Sequence, residues 1–352
     1  MISSREPGAR QHPGHDESTD PTRRSFLTRS LGVTVAAAGL ATGGLPLSPG
    51  EAAGREAQAG PLIPAAPSTC CALTPDRLRA YRYNGSGTSW SQISRVPIVR
   101  LFGGQLGLLA TMPPHGEVFR LRMAFENPDG LGAAWDRIGG PGAMFAVTAE
   151  GFYGLTPTRN AVYRYDGTGT SWTQVGTGAS RIFGGTWGLV ANDPTTGALF
   201  QYLGSPHKWR QIGTEGATFA VTDESVYGLT PDQKRVYRYD GDGMNWTRIG
   251  NDAQQLYGGD WGLVATDPGG NIWRYLGSPH RWQAIGGPGA MFAVAHDTVY
   301  GLTPRRDGVY RYSGSGTFWT VAGGPADMIV TSSRVFAGSP GSVHPLAVSP
   351  HL

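Results

Sequence analysis

The chain has 352 residues, with 54 Gly, 26 Pro, 10 Trp, 14 Tyr and 12 Phe, and a formal net charge of +3. So balanced a charge gives no reason to expect a nucleic-acid partner. A disordered chain would account for the Gly and Pro but not for aromatic residues spaced in register, whereas a turn-dense all-β structure accounts for both.

Residues 1–59 read as a targeting segment. Thr22-Arg23-Arg24-Ser25-Phe26-Leu27 stands just before an uncharged stretch, Ser30–Gly50, rich in Ala, Gly, Leu and Val. This resembles a bacterial twin-arginine (Tat) signal. The resemblance implies export of an already folded protein, secreted or extracytoplasmic, whose folding does not depend on disulfides. The apolar part is too short and too Gly-rich for a membrane span, so none is expected in the mature chain. Ala57-Gln58-Ala59 fits a small-x-small cleavage rule, which places the mature start near Gly60. Residues 60–69 read as a Pro/Ala linker. Pro67-Ser68-Thr69 lacks the Leu of a lipobox before Cys70. The only cysteines, Cys70 and Cys71, are adjacent and cannot staple distant segments. They are either two buried thiols or a vicinal disulfide formed after export.

From Cys70 the chain is a series of units of two kinds. Type A carries Y-G-L-T-P and Y-R-Y, as in Tyr153–Pro157 with Tyr163-Arg164-Tyr165. Type B carries G-G-x-W-G-L and L-G-S-P-H-x-W, as in Gly184–Leu189 with Leu203–Trp209. Unit 1 (Cys70–Ile93) is a truncated A, and unit 2 (Ser94–Gly140) a diverged B with an insertion around Met123–Ala134. Units 3, 5 and 7 are A (Pro141–Gly176, Thr214–Gly250, Pro288–Gly324). Units 4 and 6 are B (Thr177–Gly213, Asn251–Gly287). Within unit 5, four strands are predicted: Thr218–Thr222, Ser225–Leu229, Arg235–Tyr239 and Trp246–Ile249, each bounded by turn formers. The Trp that opens the fourth strand recurs as Trp90, Trp135, Trp172, Trp209, Trp246, Trp282 and Trp319, at spacings of 45, 37, 37, 37, 36 and 37. Four strands per period of this length predict a β-propeller, in which radial neighbours cover the faces that one small sheet leaves bare.

Unit 1 lacks a first strand, and the C-terminal segment Pro325–Pro340 matches the opening of unit 3. The prediction is therefore a seven-bladed propeller of four-stranded antiparallel blades over 70–338. The ring is closed by Met328–Thr331 pairing into the sheet that contains Arg79–Tyr83. Ala72–Leu73 and Val335–Phe336 compete for the second-strand place in that blade. Residues 339–352 read as a flexible tail.

Blades of this length that include Tyr237-Arg238-Tyr239-Asp240 and end in Trp246-Thr247-Arg248-Ile249-Gly250 resemble tectonin repeats, found in tectonins and tachylectin-type lectins. The resemblance covers about 70–338. It implies carbohydrate or cell-surface recognition without catalysis. The best-known members have six blades, against seven units here.

The Trp column is expected to cover blade edges and pack on the adjacent blade, or to contact ligand in part. A second aromatic column, Tyr153, Trp187, Tyr227, Trp261 and Tyr300, with Leu106 in unit 2, is expected to pack between blades. The Arg of the third strand recurs as Arg82, Arg120, Arg164, Arg238, Arg274 and Arg311, with Gln201 in unit 4. It either stacks on the next blade's Trp or pairs with Asp there, or it is a planar donor for sugar hydroxyls or carboxylates in a cleft. The G-S-P-H loops are the sharper site candidate. A sugar site needs an apolar ring face with a few polar groups, which His207, Trp209 and Tyr202, or His280, Trp282 and Tyr275, would supply. The alternative is a Pro-fixed turn with an exposed His. Asp240-Gly241-Asp242-Gly243 faintly suggests calcium but reads better as a hairpin turn. No metal site, cofactor or catalytic set is legible, because the His residues are scattered and no H-E-x-x-H, P-loop or C-x-x-C pair is present.

Two readings of function stand. One is an exported, monomeric lectin-like module binding a glycan or cell-surface polysaccharide through repeated inter-blade clefts. The other is a protein-binding scaffold using one face of the ring, favoured by the unique unit 2 loop. A propeller hydrolase or lyase is a distant third.

Overall fold

The computed structural model describes residues 68–123 and 133–333. They form seven four-stranded antiparallel sheets, and no helix occurs among the described residues. Blades 2 to 7 run outward in chain order. Their inner strands are Arg100–Gly104, Met144–Val147, Arg181–Gly185, Thr218–Val221, Gln255–Gly259 and Met291–Val294. Blade 1 is built from both ends of the described chain, in the order Met328–Ser332, Thr69–Leu73, Ala80–Tyr83, Trp90–Ser94. The seven inner strands touch in a closed cycle, so the sheets form a ring about a central channel. Blade 5 reproduces the predicted strands to within a residue, as Thr218–Val221, Val226–Leu229, Val236–Tyr239 and Trp246–Gly250.

The closing strand lies where the sequence puts it. Met328 to Ser332 pair antiparallel with Leu73 back to Thr69, residue for residue. Thr69–Leu73 therefore holds the second-strand place, and Val335–Phe336 falls outside the described residues, as does 124–132 of the unit 2 insertion. Asp327 clamps the entry to this strand. Its carboxylate takes Arg77 at 2.9 Å from blade 1 and Arg306 at 3.0 Å from blade 7.

One device joins every pair of neighbours. Each outer strand pairs with the third strand through a bulge. In blade 3, Tyr163 faces Gln174 and Val162 faces Gly176, which leaves Val175 out of the pairing. The same shift leaves out Ile93, Ile138, Ile212, Ile249, Ile285 and Ala322 in the other blades. The carbonyl of each left-out residue accepts the indole N–H of the next blade's Trp, at 2.5–2.8 Å. Trp90 bonded to Ala322 is the seventh such link and joins blade 1 to blade 7. This explains the W-x-x-I-G motif in physical terms. The Ile side chain fills the blade core, its carbonyl is free because of the bulge, and the following Gly gives the indole room. A Cβ on Gly250 would lie 3.0 Å from the Trp282 nitrogen.

The G-G of type B has its own cause. A Cβ on Gly184 would sit 2.7 Å from the Val147 carbonyl oxygen of blade 3, and one on Gly185 would sit 2.6 Å from that of Val221 in blade 5. The inner strand of a B blade is thus pressed between two A blades. Types alternate from blade 1 to blade 7, so blades 7 and 1 are both A.

The second aromatic column packs between blades, as expected. Tyr153, Tyr227 and Tyr300 meet Tyr202, Tyr275 and Tyr83 of the following blade edge-on at 5.8–6.0 Å. Trp187 and Trp261, from hairpin turns, meet Tyr239 and Tyr312 at 5.9 and 5.7 Å. Leu106 packs into the cluster that holds Tyr165.

Both cysteines are buried free thiols. As neighbours on a strand they point to opposite faces. Cys70 packs with Tyr300 and Ile329 toward blade 7, and Cys71 with Leu101 and Leu108 toward blade 2. A vicinal disulfide would need the strand to be broken. Burial pushes the Cys70 thiol well above its ordinary range and Cys71 to about 12.

Candidate functional site

The G-S-P-H loops join the third and fourth strands of blades 4 and 6. Each closes a tight turn, with Lys208 N–H donating to Ser205 and Arg281 N–H to Ser278. His207 and His280 then adopt left-handed backbone, φ 59° and 60°. Such a conformation is uncommon for His and needs support. It comes from the preceding blade: His207 N–H donates to the Val175 carbonyl at 2.8 Å, the same oxygen that takes Trp209 Nε1. His280 N–H and Trp282 Nε1 share the Ile249 carbonyl at 2.9 and 2.8 Å. The bulge that links the blades therefore also anchors the loop, while both imidazoles stay exposed.

Beneath each loop lies a cleft at the ring's rim. The cleft between blades 3 and 4 has a volume of about 280 Å³, and that between blades 5 and 6 about 550 Å³. The first is lined on the blade 4 side by His207, Trp209, Phe200, Asn192 and Asp193. The second has the corresponding His280, Trp282, Trp273, Thr266 and Asp267, with Asn251 and Asp252 from the linker between blades 5 and 6. Each cleft thus joins aromatic faces to carboxylate, hydroxyl or amide groups. Backbone N–H groups of Thr196 and Thr195, with the Thr196 hydroxyl, hold the Asp193 carboxyl below the usual range. At Asp267 burial opposes ionisation, but bonds from Trp273, Asn271 and Gly269 outweigh it and keep the carboxyl low. Trp273 Nε1 donates to Asp267 at 3.0 Å, and Lys234 pairs with Asp252 at 3.4 Å.

The other predicted site residues lie elsewhere. Tyr202 and Tyr275 are buried behind the indoles, ring to ring with Trp209 at 5.1 Å and Trp282 at 5.2 Å, and their hydroxyls have no hydrogen-bond partner among the described residues. None of Arg164, Arg238 and Arg274 lines the two clefts. Arg164 donates to the Glu150 carbonyl at 3.2 Å, and Arg238 stands 3.8 Å from Asp240. Arg274 lies over Trp261 of its own blade, 3.6 Å from the ring centre, and burial lowers its pKa. Its stacking partner is thus not the next blade's Trp, as expected from sequence. The Asp partners of Arg120, Arg238 and Arg311 also belong to their own blades. Phe200, Trp273, Asp193 and Asp267 were not singled out in the sequence. Their signal was the D-P that follows the second strand in units 4 and 6 only, Asp193-Pro194 and Asp267-Pro268.

Asp240-Gly241-Asp242-Gly243 is a hairpin turn, closed by Asp240 N–H to Asn245 and Asn245 N–H to Asp242. Among the described residues no group of three or more His, Cys, Asp or Glu is placed to hold a metal ion. At one end of the channel the Thr186 hydroxyl of blade 4 donates to Asp260 of blade 6 at 2.5 Å, spanning the end of blade 5. Burial, with the nearby Glu224 and Asp260 charges, raises the Asp223 pKa there.

No protein-family model and no curated protein matches the chain. Solved structures do match. Apo AztD from Citrobacter koseri has a TM-score of 0.51 at 12% identity, over 77% of this chain and 100% of its own. A putative 6-phosphogluconolactonase from Bacteroides fragilis gives 0.49 at 9%, over 78% and 100%. Yeast RCC1 (Prp20), solved bound to Kap60, gives 0.49 at 12%, over 74% and 83%. At such identities the likeness is one of fold. No helix among the described residues is long and apolar enough to cross a membrane.

Proposed function

We propose that the chain is an exported, non-catalytic, monomeric carbohydrate-binding module of tectonin type that holds one sugar in each of its two rim clefts. The observation that carries this reading is the repetition of a single arrangement. His207 with Trp209, and His280 with Trp282, are fixed by the same two bonds to the preceding blade, each beside an aromatic and an Asp. A half-buried indole offers its face to the C–H face of a pyranose ring, and the polar groups take its hydroxyls. Asp193, Asp252 and Asp267 accept hydroxyl hydrogens and repel sugar carboxylates, so the preferred sugar is uncharged. Two weak sites on one rigid ring raise avidity by about 10²–10⁴ on a repetitive polysaccharide. The Arg23-Arg24 signal is read as the route of export. No cofactor enters this reading.

A glycan-array screen of the chain from Gly60 tests it, with the His207→Ala, His280→Ala double variant beside it. Binding to neutral glycans should be strong in the parent and lost in the variant, whose melting midpoint stays within a few degrees, as for exposed changes. Either of two results overturns the proposal: no glycan retained by the parent, or a collapse of the variant's stability. Retention of a protein that is unaffected by the double variant would support the scaffold reading instead.

A further inference from the structure

At the corner between blades 1 and 2, on the end of the ring away from Ser68 and Ser333, the surface is apolar and basic at once. Leu78, Val96 and Val99 are 49%, 48% and 44% exposed, three of the eight large apolar side chains that stand out among the described residues. They form one patch. The Arg77 carbonyl beside Leu78 takes the N–H of Ile98, and Val99 N–H donates to Thr111. Exposed Pro97 completes it. Blade 5 holds Lys234 where blade 1 has Leu78, and Lys234 pairs at 3.4 Å with Asp252 of the linker that in blade 1 is one residue longer and carries Val96 and Pro97. The repeat therefore accepts charge at this place, and the apolar choice belongs to blade 1.

Arg79, Arg95 and Arg100 surround the patch. All are exposed, and none stands in an ion pair among the described residues; Arg79 acts on the Asp76 carboxyl through its charge alone, and Arg100 lies 5.6 Å from the Phe102 ring centre. The acids nearby are engaged: Asp327 with Arg77 and Arg306, Glu117 with Arg137, and Asp76 with Thr74 and the Leu78 N–H. The patch lies on turns and linkers at the 2–3 end of the blade. Ser68, bonded to His296 N–H, and Ser333, bonded to the Gly104 carbonyl, lie at the opposite end, so the described residues begin and end away from the patch.

We propose that this corner is a docking surface for an anionic lipid bilayer. Three aliphatic tips would enter the headgroup boundary while three exposed guanidiniums outside any ion pair meet lipid phosphates. The like charges of three arginines argue against the same patch joining two copies of this chain.

A residue-specific probe tests this in the full chain. Cys70 and Cys71 are buried, so Val96→Cys can be labelled with a polarity-sensitive fluorophore, with Thr168→Cys at the other end of the ring as control. Vesicles with about one-third phosphatidylglycerol should blue-shift the label at 96 and not at 168, and pure phosphatidylcholine should shift neither. Reversing Arg79, Arg95 and Arg100 to Glu should raise the vesicle concentration for half-maximal shift by about a hundredfold or more. The proposal is overturned if 96 does not shift, if both positions shift alike, if neutral vesicles act equally, or if reversal has no effect. A shift with polyglutamate but not with vesicles would overturn it in favour of an acidic protein segment.

Discussion

Deleting Asp327–Leu352 removes the inner strand of blade 1, and its consequence can be worked from the contacts. Five residue pairs join Met328–Ser332 to Thr69–Leu73. At about 1 kcal/mol net per ladder bond this is roughly 5 kcal/mol. Ile329, 2% exposed, adds about 2 kcal/mol for its burial. Asp327, held by half-exposed Arg77 and Arg306, adds about 1 kcal/mol. The sum, about 8 kcal/mol, is of the order of a whole domain's stability. The truncated chain should therefore lose its cooperative melt at room temperature, whereas deleting Ser339–Leu352 should leave it intact. Cys70 and Cys71 pair directly with Thr331 and Val330, so they report the same event. Their reaction with a thiol reagent should be slow in the parent and the short deletion, and complete within mixing time in the long one. If the long deletion melts within a few degrees of the parent with both thiols protected, the closing strand is not what holds the ring.

Gly250→Ala should lower stability by about 1–3 kcal/mol, read by denaturant titration, because its Cβ would press on a Trp282 indole fixed by its bond to Ile249. Stability should also fall in alkali. Burial raises the Cys70 and Cys71 thiols, Cys71 to about 12, and raises Tyr227 to about 12, so the folded state resists ionisations that the unfolded state permits. The thiol contribution is complete below the unfolded thiol pKa near 8.5 and declines as pH rises toward the folded values. A Cys70→Ala, Cys71→Ala variant should show a shallower loss between about pH 9 and 11 by chemical denaturation. Export is tested by Arg23→Lys with Arg24→Lys, which should leave precursor in the cytoplasm by fractionation; unchanged export would remove the twin-arginine reading.

Much of the ring could be read from the chain because repetition turns weak local signals into a strong one. One Trp opening a strand says little, but seven at nearly constant spacing fix blade length and number. Met328–Thr331 could be placed because unit 1 visibly lacks what the tail repeats. The bulge could not be seen. W-x-x-I-G shows which residues recur but not that the Ile carbonyl leaves its own ladder, which depends on a one-residue shift in pairing. For the same reason the clefts were half legible: His207 and Trp209 are close in sequence, whereas Asp193 joins them only through the fold. The recurring Y-R-Y shows where each third-strand Arg falls but not its partner, since turn residues such as Asp297 are brought to Arg311 by the hairpin of another strand pair.

Two kinds of blade alternating round a ring of odd number must somewhere fail to alternate. The failure here falls between blades 7 and 1, where two A blades touch, and that is also where the ring is sewn from the two ends of the chain. A B inner strand is glycine where it meets carbonyl groups on both sides, so two B blades side by side would leave a groove with nothing to fill it. Two A blades side by side instead meet through Thr331, whose hydroxyl donates to the Val294 carbonyl at 2.8 Å. Parity thus determines which kind of seam the molecule has. A ring of six such units could alternate without any seam; the seventh gives this one a marked position, and with it a beginning.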